Sequence, residues 1–137
     1  MGATGGTDTK KRQRTQTSAD KKEKLEDEES ESQLAEKGVY KGSWKANKMH
    51  GFGVFKWASG RTYEGNWVND MKFGVGVLTF KGGNEYAGEF LNDKREGYGY
   101  YQWSDNRRFK GWWHENKQHG LGVYFSPDQT AAKLGVW

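Results

Sequence analysis

The chain has 137 residues, room for one domain, and its net charge of +4 comes from 22 Lys/Arg against 18 Asp/Glu, a mixture too balanced to imply nucleic acid. Only 33% is hydrophobic, yet there are 20 glycines and seven each of Trp, Tyr and Phe, which excludes a thick aliphatic core and favours a thin sheet with rings lying over glycine backbone. The absence of cysteine excludes disulfide and thiol chemistry and makes a reducing, cytoplasmic compartment the expectation, and no apolar run approaches the ~18 to 20 residues of a membrane-crossing helix.

Residues 1–38 read as a disordered, charged tail. The basic cluster Lys10-Lys11-Arg12-Gln13-Arg14 gives way to the acidic run Glu26-Asp27-Glu28-Glu29-Ser30-Glu31, and Leu25 and Leu34 are nearly its only large apolar residues. Such a segment cannot offset the entropy of ordering. Asp20 to Lys37 suits transient helix without an apolar stripe to dock. The basic cluster has the composition of a nuclear import signal, and a solvated tail is the plainer reading. Met1-Gly2 opens like a myristoylation site but has Gly6 where Ser or Thr is needed, and the polar start does not resemble a secretory signal.

From residue 39 to 137 the chain repeats. Tyr40-x-Gly42-x-Trp44 precedes Gly51-x-Gly53; Tyr63-x-Gly65-x-Trp67 precedes Gly74-x-Gly76; Tyr86-x-Gly88-x-Phe90 precedes Gly97-x-Gly99; Phe109-x-Gly111-x-Trp113 precedes Gly120-x-Gly122. The units start at 40, 63, 86 and 109, a constant period of 23, and a partial unit opens at Lys133. A fixed period of this size signals an array of supersecondary units. Numbering each unit from its Tyr or Phe as position 0, positions +0, +2 and +4 share one face of a strand. Position +7 (Asn47, Asp70, Asp93, Asn116) tolerates a tight turn, and +11 and +13 are the paired glycines of a second strand. Position +20 (Gly60, Gly83, Asn106) permits the reversal into the next unit. The expectation is an all-β, elongated, single-layer antiparallel meander of hairpins, eight strands and the start of a ninth, roughly 38 Å across at ~4.8 Å per strand. One face carries the rings and glycines. The other carries Phe52, Val54, Val75, Val77, Tyr98, Tyr100, Leu121 and Val123, so apolar residues on both faces imply that something covers part of the sheet.

These residues resemble the MORN repeat (membrane occupation and recognition nexus), roughly Tyr-x-Gly-x-Trp, a polar turn ending in His, then Gly-x-Gly. His50 and His119 hold the His position, with Phe73 and Glu96 in the middle units. Phe90 stands for Trp and Phe109 for Tyr. The resemblance covers everything after the tail, and Lys133-Leu134-Gly135-Val136-Trp137 is similar to a closing unit cut short, as in a fragment of a longer array. It implies a non-enzymatic scaffold for protein assembly at a membrane–cytoskeleton junction or in a cilium or flagellum, including axonemal radial spokes. The alternative it implies is an acidic-phospholipid targeting or regulatory module, as in some phosphatidylinositol phosphate kinases.

No catalytic, cofactor or metal residue is expected. There is no Gly-x-Ser-x-Gly, no phosphate-binding Gly-Lys-Ser/Thr and no His-Glu-x-x-His, and the Gly-x-Gly pairs lack a strand–turn–helix context. His114, Glu115 and His119 sketch a metal site across one hairpin, but structural histidines are the plainer reading. Ser126-Pro127-Asp128, where the pattern loosens, reads as a capped loop rather than a phosphorylation site. The expected partners are other proteins, a second copy of the chain, or an acidic phospholipid surface. Contact candidates are Trp112, alone at +3 where other units carry Ser43, Asn66 and Glu89, with Tyr98, Tyr100 and Phe52. Headgroup candidates are Lys41, Lys45, Lys48, Arg107, Arg108 and Lys110, within a wider cationic set including Lys56, Lys72, Lys94, Arg95 and Lys117. Both sheet edges, at Val39–Lys45 and at the last strand, are expected to present unpaired backbone.

Overall fold

The computed structural model describes residues 9–12 and 37–137. They form one sheet whose ten strands follow each other in sequence order: β1 (Thr9–Arg12), β2 (Gly38–Lys45), β3 (Lys48–Trp57), β4 (Thr62–Val68), β5 (Met71–Thr79), β6 (Glu85–Leu91), β7 (Lys94–Gln102), β8 (Arg108–His114), β9 (Lys117–Phe125) and β10 (Ala132–Val136). Every neighbouring pair is antiparallel, and there is no helix among the described residues. The meander read from the 23-residue period is therefore the fold.

The tail and the transient helix expected before residue 37 lie outside the described residues, except at Thr9–Arg12. That segment pairs with Gly38–Lys41, so the first edge is not open as expected. A free strand edge offers unpaired N–H and C=O groups, and backbone pairing satisfies them.

The hairpins close through two-residue turns with both residues at positive φ: Ala46/Asn47, Asn69/Asp70, Asn92/Asp93 and Glu115/Asn116. That is the type I′ turn, whose twist matches the flanking strands. The +7 side chain does more than tolerate this backbone. Asp70 Oδ1 accepts from Met49 N at 2.8 Å, Asp93 Oδ1 from Lys72 N at 2.8 Å and Asn116 Oδ1 from Arg95 N at 2.9 Å, so each turn brackets the preceding unit. A register shift within each hairpin inserts extra residues beside the +11 glycine (Gly51, Gly74, Gly97, Gly120), which takes positive φ. The bulge preserves strand parity, and faces do not switch.

Cross-strand glycine pairs run without a break from Gly42–Gly53 and Gly53–Gly65 through to Gly111–Gly122 and Gly122–Gly135. They make a seam of bare backbone across one face, here the inner face. Tyr40, Tyr63, Tyr86 and Phe109 lie on the seam over Gly53, Gly76, Gly99 and Gly122, where an added Cβ would overlap the ring. The tyrosine hydroxyls donate to the +3 carbonyls of Ser43, Asn66 and Glu89 at 2.8, 3.0 and 2.9 Å. The +4 ring then wedges edge-on between its own position-0 ring and that of the preceding unit. Trp67 lies 5.0 Å from Tyr63 and 5.7 Å from Tyr40, and Phe90 lies 5.1 Å from both Tyr86 and Tyr63. Trp67 Nε1 donates to Gly53 O and Trp113 Nε1 to Gly99 O. All four position-0 rings reach 0% exposure without a second layer. Each buried ring contributes on the order of 1.5 to 3 kcal/mol. The position-0 rings of the inner face are therefore buried by the sheet itself, so the expectation that something covers part of the sheet bears on the outer face.

Position +9 also belongs to this face, and here the sequence reading fails. Lys72 and Arg95, expected on a cationic surface, are both 0% exposed. Lys72 Nζ lies 3.5 Å from Asp93 Oδ1 and within 6 Å of the Trp57, Tyr63 and Phe90 rings. Arg95 sits 4.9 Å above Trp113 and donates to the Asn116 carbonyl at 2.8 Å. Ring faces and an ion pair replace the lost hydration.

The partial fifth unit docks in register. Trp137 exchanges backbone hydrogen bonds with Gly120 and meets Phe109 edge-on at 4.8 Å, and the additional residue is absorbed in the loop from Ser126 to Ala131.

Candidate interaction face

Strand alternation sends positions +1, +3, +5, +10, +12 and +14 to the outer face. Position +12 gives a line of exposed apolar side chains, Phe52 (56%), Val75 (64%), Tyr98 (45%) and Leu121 (57%). Trp112 is 49% exposed while its neighbour Trp113 is 6% exposed, so consecutive tryptophans serve opposite faces. Trp112 pairs in register with Tyr98, and the rings meet edge-on at 5.4 Å. Three contact candidates, Trp112, Tyr98 and Phe52, thus stand out from this face. Tyr100 is half-buried under Lys110, whose Nζ lies 5.4 Å above its ring.

Sequence reasoning missed the hollow that Val75 and Trp112 border. An open groove of about 870 Å³ crosses the strands from β5 to β9, lined chiefly by Phe73, Val75, Glu89, Leu91, Glu96, Trp112, His114 and His119. Its walls are positions +3, +5, +10 and +12 of successive units. The parity rule places them all on one face, and the positive-φ glycines Gly74, Gly97 and Gly120 at +11 line the hollow with them. Glu96 joins two hairpins there: Oε2 lies 2.8 Å from His114 Nδ1, and Oε1 accepts from Glu115 N at 2.9 Å. The Glu115 amide, with His114, holds the Glu96 carboxyl below its usual range. The hydrogen bond to Glu96 raises the His114 imidazole above its usual value.

The His114 and His119 rings lie 5.5 Å apart, but no group of three or more His, Cys, Asp or Glu among the described residues is placed to hold a metal ion. Ser126 Oγ donates to Asp128 Oδ1 and accepts from Ala131 N, at 2.9 and 3.0 Å, a capping arrangement. Asp128 also accepts from the Thr130 amide and hydroxyl, and these bonds hold its carboxyl down at about 2.

The headgroup candidates do not form one patch. Lys41, Lys45 and Lys48 are exposed together in the first unit. Lys110 is exposed and Arg108 half-buried in the fourth, while Arg107 is bound to Asp105 at 2.8 Å and lies 4.8 Å over Trp103. Between the two groups the outer face carries Glu64, Glu85 and Glu89, all exposed.

Compared with known families, the chain matches the model described as MORN repeat four times, at residues 40–60, 63–85, 86–106 and 109–131. No curated protein matches it.

Proposed function

The chain belongs to the MORN-repeat family, and from that premise we propose that it is a non-enzymatic scaffold that assembles other proteins on its outer face. Arrays of this repeat act in general as scaffolds or membrane-binding modules. One observation carries the choice between them. The inner face buries its own rings, whereas the outer face leaves Phe52, Val75, Tyr98, Trp112 and Leu121 in solvent, with Val75 and Trp112 lining a groove. Exposed aromatics beside a concavity are the usual anchors of protein interfaces. The setting we propose is cytoplasmic and cytoskeletal, at a membrane periphery or within a ciliary or flagellar structure such as the axoneme, with no nucleic-acid ligand. A second copy of the chain is a further partner in this proposal.

The second reading, an acidic-phospholipid module, is favoured by the Lys41, Lys45 and Lys48 cluster, each lysine adding about 1 kcal/mol near an anionic leaflet. Two measurements decide. Affinity capture from the source cell uses the full chain with Trp112→Ala as control, and co-sedimentation uses vesicles containing phosphoinositides at physiological salt. Partners lost with Trp112→Ala and no sedimentation support the scaffold. Sedimentation that is abolished when the three lysines become alanine, with capture indifferent to Trp112, replaces it with the lipid reading.

A further inference from the structure

The outer face is not uniformly apolar, and its charges follow the units in order. Between Gly38 and Trp57 there is no carboxylate, and Lys41, Lys45 and Lys48 are exposed on the outer side. The second unit presents Val68, Phe73, Val75 and Val77, with Glu64 as the only charged side chain of β4 and β5 on that side. The third presents Glu85, Glu89 and Glu96, opposed by Lys94 at the hairpin tip. Trp112 then closes the groove from the fourth.

We propose that this face docks a helical segment of a partner protein lying across the strands, acidic over the first unit, apolar over the second and basic over the third. The proposal rests on the reading of the outer face as a protein-docking surface and adds the chemistry of what docks there. The strands beneath the groove already pair on both sides, so a segment crossing them finds few backbone partners and must satisfy its own donors and acceptors, as a helix does. From the lysines of β2 and β3 to the glutamates of β6 and β7 is four strand spacings, roughly 19 Å, the length of about 13 helical residues. An anionic leaflet fits less well, because the plane that meets the lysines also meets Glu85 and Glu89. Glu96 is already engaged by His114, which leaves Glu89 as the main contact for the basic end.

A random 20-residue peptide library displayed on phage, selected against the full chain, tests this without presupposing a partner. Enriched peptides should carry apolar residues at helical spacing between an acidic and a basic cluster. The best of them, synthesised, should lose about tenfold or more in affinity against Trp112→Ala, and similarly against Glu89→Lys, which leaves the Glu96–His114 bridge in place. Against Glu89→Lys, an analogue with its basic cluster reversed to Glu should recover binding. Circular dichroism confirms that the variants keep the sheet. Peptides that need Trp112 but ignore Glu89 keep the docking face and overturn this inference. No enrichment, with binding to phosphoinositide vesicles, overturns both readings. Self-association as the sole interaction overturns the heterologous segment proposed here.

Discussion

Replacing Gly76 with alanine tests whether glycine is required because a ring occupies the space of its side chain. The Tyr63 ring and hydroxyl lie where the new Cβ would be, and Tyr63 is fully buried, so neither group can step aside without disturbing its neighbours. Overpacking of a filled core costs about 1 to 3 kcal/mol. Displacing Tyr63 also loses its hydrogen bond to Asn66 O, about 1 kcal/mol, and weakens edge-to-face contacts with Trp67 at 5.0 Å and Phe90 at 5.1 Å, about 0.5 to 1.5 kcal/mol each. Against this stands the lower unfolded-state entropy of alanine, about 0.4 to 1 kcal/mol. The net expectation is a loss of about 3 kcal/mol, which moves a urea midpoint by roughly 2 M at a slope near 1.5 kcal/mol/M. Gly82→Ala is the control, because nothing lies within 4 Å of its added Cβ, and it should fall within about 0.5 kcal/mol of the parent. Tyr63→Ala combined with Gly76→Ala should be less destabilising than the sum, since both remove one contact. Equal effects at Gly76 and Gly82, or additive behaviour with Tyr63, would refute the account of the seam.

The buried cations make a second test. Lys72→Met alone strands Asp93 and should cost about 3 kcal/mol in a denaturation curve, while adding Asp93→Asn should restore most of it, because Met49 and Asn116 already hold the corresponding positions elsewhere. The His114–Glu96 pair has a defined pH window. The raised His114 value contributes stability fully present below its usual 6.5 and lost as pH rises through the folded value. The lowered Glu96 value contributes stability present above its usual 4.5 and lost as pH falls through the folded value. His114→Gln should therefore lower the unfolding midpoint at pH 5.5 and leave it unchanged at pH 8.5, and equal effects at both would remove the pair from the account. Asp128→Ala removes three hydrogen bonds from the loop before β10, so amide exchange should quicken across Ala132–Val136 and stay unchanged in β5.

The architecture was legible because the period of 23 fixes the hairpins and parity fixes the faces. Tyr40, Gly42 and Trp44 and their equivalents therefore read correctly without coordinates. Lys72 and Arg95 did not, because charge was weighed above parity: +9 shares its parity with the inward +13 and +15 positions. The Glu96–His114 bridge was hidden for a different reason. It spans a unit boundary at the bulge, where pairing depends on residues inserted on one strand only. Thr9–Arg12 carries no apolar pattern, so nothing in its side chains announces that it pairs with β2. Trp112 was legible as the odd residue at +3, while the groove beside it was not.

The two adjacent tryptophans test the division of labour between faces most directly. Trp113 is packed against Tyr86, Tyr101 and Phe109, under Arg95, with its indole bonded to Gly99 O, and truncation to alanine should cost about 3 to 5 kcal/mol. Trp112 stands on the outer face, and its truncation should change stability by less than about 0.5 kcal/mol while abolishing partner capture. Paired urea denaturation of Trp112→Ala and Trp113→Ala, with capture measured on the former, should give that split. Comparable destabilisation by both, or undiminished capture by Trp112→Ala, would contradict a sheet that holds itself together on one side and binds on the other.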